Sequence, residues 1–140
     1  MPSHIRITVN HLVFSARLEE QAAPASCAAF LKLLPYHQKI IQARWSGEAA
    51  WIPLGDFKFG VDWENAISYP SPGEILLYPG GLSETELLVP YGHCSFASKA
   101  GALAGNHFLT IVEGHDQLAE LGQLVLWQGA QDITFERIDD

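Results

Sequence analysis

The stretch GNHFLTIVEGHDQL, residues 105–118, predicts a strand that is followed directly by a helix. Residues 107–112 form a short apolar run that is typical of a strand. The helix is predicted over residues 115–127, and Gly129 is expected to end it. Its buried face is formed by apolar residues at helical spacing, namely Leu118, Leu121, Leu124 and Val125. Gly122 inside this face predicts close packing against another element.

A second helix is predicted over residues 24–34. Pro24 suits the first helical turn, where its missing N–H leaves no hydrogen bond unmade. Pro35 is expected to end the helix. Apolar residues between the two prolines recur at one helical spacing, namely Cys27, Phe30, Leu31 and Leu34.

Most of the remaining sequence reads as short strands. Residues 4–9 and 12–18 both alternate between apolar and polar side chains, and the Asn10-His11 pair between them indicates either a hairpin turn or a bulge in one long strand. Further runs, separated by turns rich in glycine and proline, cover residues 40–46, 48–54, 74–78, 85–89, 107–112 and 133–138. About eight strands and two helices predict a mainly β fold. The strands are expected to close into a barrel, because a closed barrel leaves no exposed sheet edge. We therefore expect one domain over residues 1–140, a closed β-barrel capped by helices near 24–34 and 115–127.

Composition excludes several classes of protein. Eight basic and 16 acidic residues give a net charge of −8, which argues against nucleic-acid binding because such a field repels phosphates. No run approaches the ~18 apolar residues of a membrane span, and residues 1–10 read as a strand rather than a secretory signal. Cys27 and Cys94 are expected to be buried free thiols, which favours the cytoplasm.

The six histidines form no H-x-H or H-E-x-x-H pattern, so we expect no metal site and no other cofactor. Charged residues make up only 17% of the chain, which also contains four tryptophans. The apolar surface that this composition leaves predicts a homo-oligomer, since symmetric assembly is the common way to bury it.

Two segments resemble the cyclophilins. Val112-Glu113-Gly114-x-Asp116 is similar to their late V-x-G-x-D helix entry, and Ala23-Pro24-x-x-Cys27-x-x-Phe30-Leu31 is similar to their first helix. The F-H-R-x-I-x-x-F-x-x-Q-G-G and S-Q-F-F-I segments that carry the isomerase residues of that family are absent. Segments 43–48, 51–54 and 73–81 instead resemble the shorter bacterial cyclophilin-like proteins of the DUF3830 family, over about residues 5–133. This resemblance implies a cyclophilin-like barrel and leaves the activity open, because that family has none assigned.

Aromatic and acidic residues gather in segment 45–51. Trp45 and Trp51 share strand parity if the strand is unbroken, although a bulge at Gly47 would reset it. Beside Glu48, such a tryptophan wall suits a ring or a peptide, since tryptophan stacks and a carboxylate accepts hydrogen bonds. The structural alternative is a pair of core tryptophans beside a solvated Glu48.

A second group follows the strand 74–78. Tyr78 precedes Gly80 and Gly81, and paired glycines permit backbone N–H groups to face an anion. Glu84 and Glu86 share strand parity, and two carboxylates can divide acid and base roles when burial raises the pKa of one. The structural alternative is a wide turn followed by a solvated acidic strand edge.

Three further residues complete the candidate site. His107 alternates with Leu109 and Ile111, so it is predicted to share their buried face and to be the titrating catalytic group; a satisfied structural histidine is the alternative. Arg44 falls near the position of the cyclophilin catalytic arginine and is the candidate donor for prolyl isomerisation. Tyr91, in the predicted turn 90–92, is expected to bind the ligand.

Three functional hypotheses follow. The first is a protein that binds a small organic molecule, with His107 or Glu86 as the base if it catalyses proton transfer or isomerisation. Its pocket is predicted to be lined by Trp45, Glu48, Trp51, Tyr78, Glu86 and His107. The second is a peptidyl-prolyl isomerase that uses Arg44, and the third is a non-catalytic homo-oligomeric module that binds a small molecule or a peptide. The first hypothesis requires the segments of Trp45 and Tyr78 to meet at one mouth of the barrel.

Overall fold

The structure, a computed structural model, describes residues 4–138. In chain order the elements are β1 (His4–Val9), β2 (Leu12–Leu18), α1 (Pro24–Leu31), β3 (Tyr36–Gln42), β4 (Gly47–Pro53), β5 (Ala66–Ile67), β6 (Glu74–Tyr78), β7 (Glu86–Cys94), β8 (Ala97–Ser98), β9 (Gly101–Ala102), β10 (Gly105–Glu113), a 3-10 turn (His115–Gln117), α2 (Leu118–Trp127) and β11 (Gln131–Ile138).

The eight long strands form a closed antiparallel barrel. Their order is β2-β1-β11-β3-β4-β7-β6-β10, and β10 also pairs with β2, which closes the ring. The short β5 continues the sheet beside the start of β10, and β8 and β9 form a separate hairpin. The predicted mainly β fold, a closed barrel of about eight strands with two helices, is confirmed.

Asn10 and His11 make a hairpin turn rather than a bulge in one strand. Val9 lies directly opposite Leu12 in the register of β1 and β2, so the loop has two residues. Asn10 takes the left-handed conformation at φ 56°, which tight two-residue hairpins require.

Helix α1 caps one end of the barrel. Phe30 packs edge-on against Phe108 and Phe135, each at 5.1 Å between ring centroids. The helix ends at Leu31, three residues earlier than predicted. Leu33 and Leu34 continue only as tight turns whose N–H groups donate to carbonyls three residues back, since the residue before a proline disfavours the helical conformation.

Helix α2 packs near the other end, against β3 and β7. The predicted close packing at Gly122 is confirmed, because a Cβ atom there would lie 2.2 Å from Cε1 of Tyr91. The first turn of the predicted helix is the 3-10 turn, which follows Gly114 in the left-handed conformation at φ 89°. No helix within residues 4–138 has the length and apolar character that a membrane crossing needs.

Two strands, β3 and β7, differ most from their predicted bounds. β3 begins at Tyr36 rather than at residue 40, because the segment 36–39 is polar and carries little strand signal. β7 runs from Glu86 to Cys94 through Pro90 and Gly92, which the sequence indicated as a turn. The register between β4 and β7 shifts where β7 passes these residues, and a bulge of this kind accommodates proline and glycine within a strand.

The barrel interior holds the main core. Buried side chains from all eight long strands and both helices meet there, among them Ile5, Phe14, Phe30, Ile52, Leu87, Phe108, Leu121 and Phe135. Cys27 and Cys94 are both buried and free, as predicted. Burial raises the pKa of Cys27 to about 12 and that of Cys94 to about 11, so neither thiol is a thiolate nucleophile at neutral pH.

Candidate functional site

A second group of buried residues covers the outside of the barrel wall. We call it the outer cluster, and it consists of Ala43, Ala49, Leu76, Tyr78, Leu88, Cys94, Phe96 and Leu103, with Trp51 and Ile67 packed against it. Alternate residues of β4, β7 and β6 point away from the barrel interior, so Trp51, Leu88 and Leu76 form one row across the three strands. One step along the strands, Glu86 lies between Pro53 and Tyr78.

The segment 95–104 lies over this outer cluster and is fixed to the β3–β4 turn by Ser46. The Ser46 hydroxyl accepts a hydrogen bond from the N–H of Ala97 and donates one to the Ala97 carbonyl, both at 3.0 Å. The N–H of Ser95 donates to the Ser46 carbonyl at 2.9 Å. Ser46 itself is buried. These bonds set the tip of the β8–β9 hairpin beside Trp45.

An open cavity of about 440 Å³ lies between this hairpin, the tryptophans and the loop that follows β6. We call it the tryptophan hollow, and its lining residues are Trp45, Trp51, Leu82, Ser83, Glu84, Ser98, Lys99 and Ala100. Trp45 is 42% exposed, and the Lys99 ammonium lies over its ring at 5.6 Å from the centroid. This distance is within the range of cation–π attraction.

Tyr78 shapes the loop that forms one wall of the hollow. Its hydroxyl accepts hydrogen bonds from the N–H groups of Leu82, at 3.0 Å, and Ser83, at 3.3 Å. Gly80 and Gly81 precede these residues at φ 103° and 131°, a backbone conformation that favours glycine. The Gly81 N–H donates to the Ser83 carbonyl at 3.1 Å, so it is used within the loop. Tyr78 and the two glycines therefore position the wall of the hollow without lining it.

Glu84 completes this wall from the other side. Its Oε1 accepts a hydrogen bond from the N–H of Gly55 at 2.9 Å, and the Thr85 N–H donates to the Gly55 carbonyl. The Glu84 side chain is exposed and lines the hollow. The bond to Gly55 uses one carboxylate oxygen and leaves the charge of the group in the hollow.

Glu86 is a buried carboxyl on the same sheet face. It is 3% exposed. Burial, followed by the charge of Glu84, raises the pKa of Glu86 to about 8. The group is therefore mostly protonated at neutral pH. It lies beside Tyr78 behind the hollow and is not one of the lining residues.

Glu48 and Tyr91, two of the predicted site residues, lie away from the hollow. Glu48 is on the opposite face of β4 from Trp51, and its Oε1 accepts the N–H of His93 at 2.8 Å. Tyr91 packs over Gly122 of α2, and its hydroxyl donates to Oε1 of Gln42 at 2.6 Å. The predicted tryptophan wall beside Glu48 is thus not formed, because alternate residues of a strand face opposite ways.

Arg44 adjoins Trp45 in sequence but lines a different cavity. This second groove has a volume of about 350 Å³ and lies between β3 and α2, where Arg44 meets Ile41, Gln42, Val125, Leu126 and Gly129. The β3–β4 turn therefore sends the two neighbouring side chains to separate surfaces.

The predicted parity of His107 is wrong because β10 contains a bulge. The register to β6 shifts between His107 and Leu109, so Phe108 and Leu109 both enter the interior core while His107 and Thr110 both face outwards. His107 lies opposite Leu76, in the same row as Trp51 but three strands away. At about 4.8 Å per strand this is roughly 14 Å from Trp51, so His107 is not part of the hollow.

His107 instead belongs to a chain of hydrogen bonds on β10 and β2. The Thr110 hydroxyl donates to Oε2 of Glu19 at 2.6 Å and accepts from Nε2 of His107 at 2.7 Å. Arg17 donates to the same Glu19 oxygen at 3.0 Å. Burial by itself raises the pKa of Glu19, but the hydrogen bonds from Thr110 and Arg17 and the charge of Arg17 lower it overall. The carboxylate therefore stays ionised and holds the imidazole through Thr110.

Sequence reasoning missed five residues that line the hollow, namely Leu82, Ser83, Ser98, Lys99 and Ala100. They lie in loops or in the two-residue strand β8, where hydrophobic periodicity gives no signal, and only the turn signals near residues 79–81 pointed to one of these segments. Nothing local to residues 98–100 relates them to Trp45, because the contact depends on the fold. No group of three or more histidine, cysteine, aspartate or glutamate side chains within residues 4–138 is arranged to hold a metal ion.

Solved structures share this fold. McbB in complex with tryptophan aligns with a TM-score of 0.75 at 19% identity, over 97% of this chain and 45% of the McbB chain. A cyclophilin-type peptidyl-prolyl cis-trans isomerase from Cryptosporidium parvum aligns with a TM-score of 0.71 at 15% identity, over 100% of this chain and 99% of the isomerase. A hypothetical protein from Archaeoglobus fulgidus aligns with a TM-score of 0.66 at 17% identity, over 98% and 95% of the two chains.

These similarities show a cyclophilin-like barrel, and the chain spans less than half the length of McbB. No curated protein matches the chain. A family model described as a protein of unknown function, DUF3830, matches residues 5–137. Because this match covers nearly the whole sequence, the chain belongs to the DUF3830 family.

Proposed function

We propose that this protein binds a small, planar organic molecule in the tryptophan hollow. The observation that carries the proposal is that Trp45, Trp51 and Leu82 face one cavity of about 440 Å³ whose rim carries polar and charged groups. Small-molecule sites are concave and mostly apolar, with a few placed polar groups and volumes of ~300–1,000 Å³.

The proposal is tested by ligand-observed NMR with a panel of aromatic fragments. Indole compounds are included, since McbB is described in complex with tryptophan. Trp45→Ala and Trp51→Leu should weaken binding by about two- to tenfold each, because an aromatic contact contributes roughly 0.5–1.5 kcal/mol beyond its buried area. Trp127→Ala is the matched control, since Trp127 is 76% exposed on α2 and outside the hollow. Equal binding by all four proteins, or no binding of any fragment, would reject the proposal.

The burial of Glu86 favours a catalytic form of this function. A carboxyl with a pKa near the working pH can both give and take a proton, and the pKa of Glu86 is about 8 because the group is buried. The reaction class that fits is tautomerisation beside a carbonyl: the ionised Glu86 carboxylate takes the proton of a C–H bond, the electron pair of that bond forms the C=C bond of the enolate, and the Glu86 carboxyl returns a proton to the oxygen to form the O–H bond. A substrate in the hollow reaches Glu86 only if the loop 82–84 moves, and that loop is held by Tyr78 and by the bond from Gly55 to Glu84.

Proton transfer is tested by deuterium exchange at the acidic carbon of phenylpyruvate. Glu86→Gln should abolish any exchange above the buffer rate and leave the affinity for phenylpyruvate unchanged. Glu113→Gln, at an exposed carboxylate at the end of β10, should behave as wild type. If the glutamine variant at position 86 exchanges as fast as wild type, Glu86 is not the acid–base group.

Prolyl isomerisation is the alternative function, and the groove of Arg44 is the observation that favours it. There an arginine donor lies beside the apolar side chains of Ile41, Val125 and Leu126, and an isomerase needs an apolar slot with a donor near the prolyl nitrogen. A proline-peptide isomerisation assay on wild type and Arg44→Ala decides: equal rates for the two proteins remove this alternative.

A further inference from the structure

The tryptophan hollow contains one acidic and one basic side chain that do not pair with each other. Lys99 and Glu84 both line it, and within the described residues neither takes part in an ion pair. The Lys99 ammonium lies over the Trp45 ring, while Glu84 is held in place by the Gly55 N–H. Two opposite charges are therefore presented to one cavity, more than 4 Å apart.

The separation of these charges suits a ligand that carries both signs. A sphere of 440 Å³ is about 9 Å across, which sets the scale of the distance over which the two groups face each other. An α-amino acid holds its ammonium about 2.7 Å from its carboxylate oxygens. With a charged contact of about 2.8 Å at each end, it bridges charges up to roughly 8 Å apart.

The remaining walls define the side chain of such a ligand. Lys99 covers one face of Trp45, so Trp51 and Leu82 supply most of the apolar surface against which a ring can pack. Glu86 adds no competing charge at neutral pH, since burial keeps it protonated. The cavity thus combines an aromatic wall with one positive and one negative contact.

We infer that the tryptophan hollow selects aromatic α-amino acids, with the ligand carboxylate on Lys99, the ligand ammonium on Glu84 and the ring against Trp51 and Leu82. This inference rests on the proposed function, because it names the ligand class of the same cavity. It goes further in assigning one role to each charged side chain.

The test uses four probes that share one ring: L-tryptophan, indole-3-propionate, tryptamine and 3-methylindole. They carry both charges, the carboxylate alone, the ammonium alone and no charge. Their affinities are measured by titration calorimetry and ligand-observed NMR for wild type, Lys99→Ala and Glu84→Gln. The glutamine substitution keeps an oxygen that can accept the Gly55 N–H. Lys32→Ala and Glu113→Gln serve as matched controls, because both side chains are exposed and neither lines the hollow.

L-tryptophan should bind wild type most tightly. Lys99→Ala should weaken L-tryptophan and indole-3-propionate by about two- to fivefold, the size of one exposed ion pair, and leave tryptamine unchanged. Glu84→Gln should weaken L-tryptophan and tryptamine to a similar extent and leave indole-3-propionate unchanged. The two control variants should match wild type for all four probes.

Other outcomes overturn the inference and separate it from the proposed function. If 3-methylindole binds as tightly as L-tryptophan and Trp51→Leu weakens both, the hollow binds rings without regard to charge. Preference for the acid alone or the amine alone would replace the inferred class by an anion or a cation. If none of the four probes binds while another aromatic fragment does, the inference fails and the proposed function stands. If no aromatic fragment binds at all, both fail.

Discussion

Replacing Glu86 by glutamine should remove a pH dependence of stability that the wild-type protein shows between about pH 5 and pH 8. The Glu86 carboxyl is buried, and burial, followed by the charge of Glu84, raises its pKa to about 8 from an ordinary 4.5. A carboxyl whose pKa rises on folding binds its proton more tightly in the folded state. Its stabilising contribution is therefore complete below about pH 4.5 and is lost as the pH rises through 8.

The size of this effect follows from the two pKa values. Within the window, each pH unit lowers the free energy of unfolding by up to ~1.4 kcal/mol. Partial ionisation at both ends reduces the total change from pH 5 to pH 8 to about 3–4 kcal/mol. This is a large part of the ~5–15 kcal/mol that stabilises a typical domain, so the wild-type protein should be clearly less stable at pH 8 than at pH 5.

The assay is urea unfolding followed by tryptophan fluorescence and circular dichroism at pH 5, 6, 7 and 8. All other groups titrate in both proteins, so the difference in unfolding free energy between wild type and Glu86→Gln isolates Glu86. That difference should change by about 3–4 kcal/mol in favour of the variant from pH 5 to pH 8. Glu113→Gln, at an exposed carboxylate, should run parallel to wild type. A constant difference between wild type and Glu86→Gln over the whole range would refute the reasoning.

Three further predictions address the packing, the hydrogen-bond chain and the assembly. Gly122→Ala should lower the free energy of unfolding by about 1–3 kcal/mol, because the new Cβ overlaps the Tyr91 ring; thermal denaturation measures this, and a wild-type midpoint would contradict the packing. Thr110→Val should lower the free energy of unfolding by about 1–3 kcal/mol and raise the pKa of Glu19, because His107 and Glu19 each lose their hydrogen bond to the Thr110 hydroxyl. Carboxyl NMR titration measures the pKa of Glu19, and an unchanged pKa would contradict the role given to this hydrogen bond. We expect the wild-type protein to be a homo-oligomer. Leu126→Lys changes a side chain that is 49% exposed on α2, and light scattering should show that it shifts the protein towards the monomer. A monomeric wild type would contradict this prediction.

The barrel was predictable because its signals are local. Alternation in residues 4–9 and 12–18, and the helical spacing of Cys27, Phe30 and Leu31, report burial that each element imposes on its own sequence. The errors fall where a local signal is weak or interrupted. The polar start of β3 at Tyr36 has little hydrophobic pattern, and Pro90 reads as a turn although it lies within β7.

The candidate site was predictable only in part. Trp45 and Trp51 were singled out from the sequence and share a cavity. The Trp45 segment and the loop after Tyr78 do lie together, but on the outside of the barrel wall rather than at the predicted mouth of the barrel. Lys99 escaped notice because no pattern within its own segment distinguishes it. His107 was assigned to the wrong face because one extra residue in β10 reverses the alternation on which the assignment depended.

By itself, then, the sequence determined the elements, the closure of the barrel and the identity of the aromatic and acidic residues that chemistry would use. Tertiary structure alone decided which of them share a surface. It set Lys99 and Glu84 around the tryptophans and buried Glu86 behind them. It placed Glu48, Arg44 and His107 outside the tryptophan hollow. The physical reason is that periodicity records which face of an element is buried, whereas a site depends on bulges, loop paths and contacts between residues distant in the chain, which no local pattern encodes.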